Sequence, residues 1–172
     1  MEHFLKRTWA EIDLDAVKHN YFQIRSLLKD NTKLMCIVKA DAYGHGAEFL
    51  AREYQNLGAE WFGVSNIEEA MQLRNFGINK PILILGYTPV YMIKELANFH
   101  ITQTVFSKSY AENLSAEALK YGLQVNVHIK IDTGMSRIGF MFQDKIRDSH
   151  SLDDIEEIFK LQGINVEGIF TH

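Results

Sequence analysis

The chain has 172 residues, enough for one compact domain but fewer than a complete α/β barrel, which typically needs about 250. Its 18 basic and 22 acidic residues give a formal net charge of −4 without a basic cluster, which argues against a nucleic-acid partner. No stretch approaches the roughly 20 apolar residues of a membrane span, and the single cysteine, Cys36, excludes an intrachain disulfide, so we expect a cytoplasmic protein.

Short apolar runs that are typical of buried strands alternate along the chain with segments of helical periodicity. Capping residues and terminating glycines set the bounds of the predicted helices. In chain order the elements are a helix capped by Asp13 or Asp15, a strand at 34–40, a helix from Ala47 to Gly58, a strand at 61–65, a helix from Ser65 to Gly77, a strand at 82–86, a helix from Thr88, a strand at 101–106, a helix from Ser109 to Gly122, a strand at 125–131, a helix from Ser151 and a strand at 166–170.

This alternation predicts right-handed βαβ units and a parallel sheet. Helices cover both faces of a doubly wound sheet, whereas the inner face of a barrel strand can turn polar toward a catalytic mouth. One face of the fifth predicted strand is polar, with Asn126, His128, Lys130 and Asp132. We therefore predict an α/β fold of the (β/α)8-barrel type that is incomplete, with about six of the eight βα units. No dinucleotide-binding or P-loop glycine motif is present.

Candidate functional residues lie at the carboxyl ends of the predicted strands, where barrels place their chemistry. Lys39 ends the first strand, and an amine at such a position can act as a nucleophile. Tyr43 follows in a glycine-spaced loop, Lys130 ends the fifth strand, Arg137 lies on the loop beyond it, and His172 follows the sixth. In a barrel these side chains would meet at one mouth.

Each of these residues also has a structural explanation that the sequence leaves open. Lys39 can extend its ammonium into water, Lys130 can pair with Asp132 or Asp144, Arg137 can cap carbonyl groups, and Tyr43 and His172 can be solvated. No metal site is expected, because His45 and His128 lack ligand spacing with any cysteine or acid.

Four stretches resemble the alanine racemase family, the barrel-fold class of pyridoxal-phosphate enzymes. They follow the family's order and extend over almost the whole chain. The stretches are T-W-A-E-I-D-L-D-A-V-K-H-N at 8–20, V-K-A-D-A-Y-G-H-G at 38–46, H-I-K-I-D-T-G-M-S-R-I-G-F at 128–140 and G-I-F-T-H at 168–172.

The resemblance implies a role for each candidate residue. Lys39 would bind pyridoxal 5′-phosphate covalently and act as a catalytic base, and Tyr43 would donate to the cofactor's phosphate. Arg137 would face the phenolic oxygen of the cofactor and the carboxylate of the amino-acid substrate. Lys130 would be carbamylated and orient Arg137, and His172 would pack against the pyridine ring.

The resemblance also implies what lies outside this chain. Family members are homodimers, and a tyrosine from the carboxyl-terminal β-domain of the partner subunit supplies the second catalytic base. Residues 1–12 would form a strand that belongs with this β-domain, and 13–172 would form the partial barrel that binds the cofactor. We therefore expect the longer parent to be an alanine racemase that supplies D-alanine for peptidoglycan, and the chain alone to be inactive.

Two other interpretations remain open on the sequence. The parent can be a serine or broad-specificity racemase of the same family, because the determinants of specificity lie largely outside this chain. Alternatively, the chain can be a non-catalytic barrel protein that binds pyridoxal phosphate, or an interaction module that keeps the lysine without the cofactor.

Overall fold

The computed structural model describes residues 8–143, 146–147 and 150–172. The elements are α1 Leu14–Ser26, β1 Met35–Ile37, α2 Lys39–Gly44, α3 Ala47–Leu57, β2 Trp61–Val64, α4 Ile67–Asn75, β3 Ile82–Ile84, a 3-10 turn Val90–Met92, α5 Ile93–Asn98, β4 Ile101–Val105, α6 Lys108–Lys120, β5 Val125–Asp132, β6 Phe140–Gln143, β7 Ile146–Arg147, α7 His150–Ile158 and β8 Ile164–Thr171. Each of the six predicted strands is present, and α2 is a short turn that periodicity did not predict.

Six strands form one parallel sheet in the order β1-β2-β3-β4-β5-β8. Two further short strands were not predicted: β6 extends the end of β5 in parallel, and β7 pairs antiparallel with β6. Within the described residues β1 pairs only with β2, and β8 pairs only with β5, so the barrel does not close. The prediction of an incomplete α/β barrel is confirmed.

The two faces of the sheet differ, as the polar face of the fifth predicted strand, now β5, indicated. Val125, Val127 and Ile129 are buried on the outer face, where helices cover the sheet. Strand register sets Lys39, Ser65 and Lys130 on the other face, because alternate residues of a strand point to opposite sides. This inner face leads to the carboxyl ends of the strands, where the candidate residues lie.

Three predicted N-caps can be compared with the structure. Asp13 caps α1 by accepting the amide hydrogens of Asp15 and Ala16, as predicted. The cap of α4 is Asn66 and not Ser65, and the cap of α6 is Ser107 and not Ser109. In both cases the predicted cap was a serine that has a glutamate three residues later. The observed caps have an extended backbone, and the side chain of each accepts the amide hydrogen of the third helical residue.

Residues 8–12 carry no regular secondary structure, and the residues before them lie outside the described part of the chain. The assignment of 1–12 to a separate β-domain therefore stays a prediction. No helix in the described ranges is both long and apolar enough to cross a membrane.

Candidate active site

Lys39 is followed by a left-handed helical turn. Ala40, Asp41, Ala42 and Tyr43 have φ angles of 51°, 53°, 52° and 57°. Each L-residue in this conformation costs roughly 1–2 kcal/mol, because Cβ approaches the following carbonyl oxygen. A run of four such residues therefore requires compensation from the surrounding structure.

Hydrogen bonds from several directions hold this turn. Glu69 on α4 accepts the amide hydrogen of Ala40 at 2.9 Å, and the Ala42 amide donates to the Val38 carbonyl at 2.9 Å. The Asp41 carboxylate accepts the amide hydrogen of Ala47 at 2.7 Å and so joins the turn to the first residue of α3. The turn is thereby tied to the strand before it and to two helices.

A cavity of about 280 Å³ lies at the carboxyl ends of the strands. It brings together four of the five predicted site residues, Lys39, Lys130, Arg137 and His172. An adjoining cavity of about 380 Å³ shares Lys39 and His172 with the first and adds Tyr43. All five predicted residues therefore meet around one region of the inner face.

Lys130 is the buried cation of this region, with 8% of its surface exposed. Its Nζ lies 5.8 Å from the centre of the Phe170 ring, and no carboxylate of the described residues lies within ion-pair distance of it. Burial, then the neighbouring Arg137 and Lys39 charges, lower the pKa of Lys130, while Asp132 raises it. An ion pair with Asp132 is thus absent from the described residues, and Asp144 lies outside them.

Asp132 instead organises the loop that carries Arg137. Its Oδ1 accepts the amide hydrogens of Ser136 at 3.0 Å and Gly134 at 2.9 Å, and these backbone hydrogen bonds lower the pKa of the carboxyl group. The loop returns past β5 at Gly139, where φ is 136° and a Cβ would lie 2.9 Å from the Asp132 backbone nitrogen. Only glycine fits this close approach without strain.

Arg137 and Tyr43 lie at the rim. Arg137 is exposed and donates to the sulfur of Met135 at 3.2 Å, and within the described chain it caps no carbonyl group. The Tyr43 ring is 61% exposed, and its centre lies 5.9 Å from the Lys39 Nζ. These side chains are accessible to a ligand that enters the cavity.

The sequence predicts the lysines, the arginine and the histidine that line the cavity, but not its apolar lining or the residues that hold the site in place. Nothing in the sequence distinguishes Glu69 from an ordinary acidic residue in the first turn of a helix. Asp132 was considered only as a strand-end acid or a partner of Lys130. The signal that points to its function is D-T-G, since an aspartate often accepts amide hydrogens of the turn that follows it.

Comparisons with known proteins point to one family. Residues 12–172 match the family model described as "Alanine racemase, N-terminal domain". The chain is 46% identical over 172 residues to an alanine racemase of Desulfovibrio desulfuricans, covering all of this chain and 45% of the relative.

Solved structures give the same result. An alanine racemase of Clostridium difficile 630, also solved in complex with cycloserine, superposes with a TM-score of 0.89 at 39% identity, covering 99% of this chain and 43% to 45% of the relative. A histidine racemase of Leuconostoc mesenteroides superposes with a TM-score of 0.82 at 28% identity, covering 92% of this chain and 41% of the relative. The chain thus spans less than half the length of these relatives.

Proposed function

The chain belongs to the alanine racemase family, and on this premise we propose that the polypeptide that carries it is a pyridoxal-phosphate-dependent racemase of alanine. The observation that supports this proposal is the convergence of Lys39, Lys130, Arg137 and His172 on one cavity at the strand ends. A reactive amine and three further nitrogenous side chains surround a space that suits a small anionic molecule.

The residues around the cavity fit such a cofactor. None of the described residues that line the two adjoining cavities is an aspartate or a glutamate. Cations that are partly buried without a carboxylate favour an anionic ligand, because an unpaired buried charge is costly. Lys39 would hold pyridoxal phosphate covalently, Tyr43 would donate to its phosphate, and His172 would pack against its ring.

Lys39 would also act as one of the two acid–base groups that remove and return the α-proton. Pyridoxal phosphate, when bound, supplies an electron sink for the charge that develops on the α-carbon of the substrate. The Lys39 amine would remove or return the α-proton on one face, because a general base must reach the proton that it takes. Arg137 would bind the substrate carboxylate and so fix which face of the α-carbon meets this amine.

Lys130 would support Arg137 as a carbamate. Carbon dioxide reacts only with a neutral amine, and the lowered pKa of Lys130 increases the neutral fraction. The reaction releases a proton and converts a cation into an anion that can pair with Arg137. Intact-mass measurement should then find one added carbon dioxide, and Lys130→Gln should lack it.

The second base would come from a partner subunit. Racemisation needs an acid–base group on the opposite face of the α-carbon, and the family resemblance assigns that role to a tyrosine of the β-domain. The proposed enzyme is therefore a homodimer, and the family resemblance implies that it would be cytoplasmic and would supply D-alanine for peptidoglycan. The 172 residues alone would bind the cofactor without racemising alanine.

Borohydride trapping tests the cofactor assignment. The complete polypeptide, incubated with pyridoxal phosphate and reduced, should carry an adduct that peptide mapping places on Lys39. Lys39→Ala should remove the adduct, and Lys33→Ala, which changes an exposed lysine before β1, should keep it. An adduct on other lysines but not on Lys39 would contradict the proposal.

Activity measurements test whether the second catalytic base lies outside these 172 residues. The complete polypeptide should racemise L-alanine, whereas the 172-residue chain with added cofactor should lose at least about a thousandfold in rate, because one of two bases is missing. Substantial racemisation by the 172-residue chain would show that the second base is not needed from outside.

Histidine is the second candidate substrate, favoured by the structural likeness to the Leuconostoc mesenteroides histidine racemase. We expect alanine to be preferred, because the identity to alanine racemases reaches 46% against 28% for the histidine racemase. The ratio of kcat/KM for L-alanine, L-serine and L-histidine decides between them, and also tests the broader specificity that the sequence left open.

A further inference from the structure

The carboxylate of Glu69 connects the backbones at the ends of two neighbouring strands. Its Oε1 accepts the amide hydrogen of Ala40 at 2.9 Å, directly after β1 and Lys39. Its Oε2 accepts the amide hydrogen of Ser65 at 2.8 Å, directly after β2. One side chain thus uses each of its two oxygens for a different strand end.

Both of these strand ends border the cavity. Both Lys39 and Ser65 line it. The amide of Ser65 donates to Glu69 directly, and Lys39 comes one residue before Ala40, whose amide also donates to Glu69. The Ala40 amide is also the first of the left-handed turn, so the hydrogen bond to Glu69 fixes the point at which the chain leaves β1. The direction in which the Lys39 side chain leaves the backbone depends on that point.

Glu69 itself is held in place. It lies in the first turn of α4, where its own amide donates to the Oδ1 of the N-cap Asn66 at 2.9 Å. A carboxylate near a helix N-terminus is stabilised by the helix dipole, and a charged acceptor forms stronger hydrogen bonds than a neutral one. The geometry therefore gives the two strand ends a rigid common support.

We propose that Glu69 is a positioning residue for Lys39: it holds the left-handed turn so that the lysine amine points into the cavity at the correct angle for cofactor attachment. The inference rests on the proposed function, because it concerns the reaction of Lys39 with pyridoxal phosphate. Glu69 touches neither the cavity nor the reacting atoms, and it acts through the backbone at Ala40 and Ser65.

Glu69→Gln is the sharpest variant. It keeps the size of the side chain but replaces one acceptor oxygen with a donor, so one of the two amides loses its partner. Glu68→Gln changes the exposed neighbouring glutamate on the same helix turn and is the matched control. Glu69→Asp keeps the charge on a shorter side chain and tests whether the carboxylate alone restores function.

The first measurement needs no cofactor. Hydrogen exchange of at least one of the two amides, Ala40 or Ser65, should become at least about tenfold faster in Glu69→Gln, because a lost hydrogen bond of this strength corresponds to about that factor. Both amides should keep their wild-type exchange rates in Glu68→Gln. Unchanged exchange at both amides would overturn the inference.

The second measurement separates positioning from general stability. The rate of adduct formation on Lys39 is followed by borohydride trapping at increasing pyridoxal phosphate. In Glu69→Gln the maximal rate should fall roughly tenfold to a hundredfold, while the half-saturating concentration changes less than about threefold, because misplacement of a reacting group affects the reaction more than initial binding. Partial recovery of the maximal rate in Glu69→Asp is expected.

The outcomes separate the two proposals. If the wild-type chain forms no adduct on Lys39, the proposed function fails and the role of Glu69 fails with it. If the wild type forms the adduct and Glu69→Gln forms it equally fast, only the inference about Glu69 is wrong. A slower rate that merely follows the loss of folded protein, measured by the unfolding midpoint, would also overturn it.

Discussion

Arg74 illustrates how one half-buried cation holds loops that carry no regular structure. From α4 its Nη1 donates to the carbonyls of Ile78 and Lys80 at 2.8 and 2.7 Å. Its Nε and Nη2 donate to Phe99 and His100 at 2.8 and 2.9 Å. The planar guanidinium reaches two loops at once, which the single ammonium of a lysine cannot do.

Arg74→Lys should therefore lower the free energy of unfolding by about 2–4 kcal/mol, because carbonyl groups in two loops lose a charged donor. Chemical denaturation measures the loss. Arg52→Lys is the matched control, since that arginine is half-exposed, pairs with Glu48 and donates to the Phe76 carbonyl. We expect it to cost less than about 1 kcal/mol. Equal losses in the two variants would show that the four contacts of Arg74 act no differently from a surface pair.

Cys36 lies on β1, three residues before Lys39. Burial, and then the carboxylate of Glu60, raise the pKa of its thiol to about 12. Because only the thiolate is a good nucleophile, iodoacetamide at pH 8 should alkylate Cys36 in the folded chain at least about a hundredfold more slowly than in the unfolded chain. Mass spectrometry with and without denaturant compares the two rates, and comparable rates would contradict the burial of this thiol.

At the scale of elements, the left-handed turn α2 is the least expected feature. Its four residues carry Cβ atoms in a conformation that favours glycine, and Ala40 among them is exposed. Hydrogen bonds to Glu69, Val38 and Asp41 offset this strain. The turn therefore stores strain between β1 and α3, close to the lysine that it orients.

Ala40→Gly tests the strain directly. Glycine relieves roughly 1–2 kcal/mol at this position and costs about 0.5–1 kcal/mol in the entropy of the unfolded chain. We expect the free energy of unfolding to stay the same or to rise by up to about 1.5 kcal/mol. Ala51→Gly, in the right-handed helix α3, should instead lower it by at least about 1 kcal/mol. Denaturation of both variants compares these signs, and a loss in Ala40→Gly as large as in Ala51→Gly would argue against a strained turn.

The same elements show how far the sequence predicts the fold. Apolar runs locate all six strands of the parallel sheet, because burial on the outer face requires them, and Gly58 ends α3 as expected. The turn at Ala40 escapes prediction because neither periodicity nor a glycine marks it. One of the hydrogen bonds that hold it comes from Glu69, a partner 29 residues away, and local propensity contains no information about such a contact.

The candidate site likewise has parts that the sequence predicts and parts that depend on contacts distant in sequence. The lysines, the arginine and the histidine that line the cavity could be predicted, since each ends a strand or belongs to a loop next to one. The strands β6 and β7 and the anchoring of the Arg137 loop by Asp132 could not, because they depend on how the chain returns past β5 at Gly139. Residues that support a site are less visible in a sequence than residues that form it.

At the scale of the whole molecule, the inner face of the sheet packs around His128. Its ring lies 5.2 Å from the Trp61 ring of β2 and 6.4 Å from the Phe170 ring of β8, measured between ring centres. A Cβ on Gly168 would come within 2.7 Å of the imidazole, so any other residue at this position of β8 would displace the His128 ring. Three strands thus meet at one histidine, which also lines the larger of the two adjoining cavities.

His128 makes the stability of this packing depend on pH. Burial lowers its pKa below the ordinary value of 6.5, although Glu167, whose carboxylate lies 3.7 Å from Nε2, acts in the opposite direction. As the pH falls below about 6.5, the unfolded chain binds a proton that the folded chain binds less readily. Above that pH, His128 should therefore not change the free energy of unfolding. Below it, the free energy of unfolding should decrease with falling pH until the folded chain also binds the proton.

Chemical denaturation between pH 5 and pH 8 measures this slope. His128→Gln should lose part of the acid-induced decrease, because the group that protonates preferentially in the unfolded chain is gone. His19→Gln, which changes an exposed side chain on α1, should keep the wild-type profile. If the profile of His128→Gln were as steep as that of the wild type, the acid sensitivity would have to arise from groups other than His128.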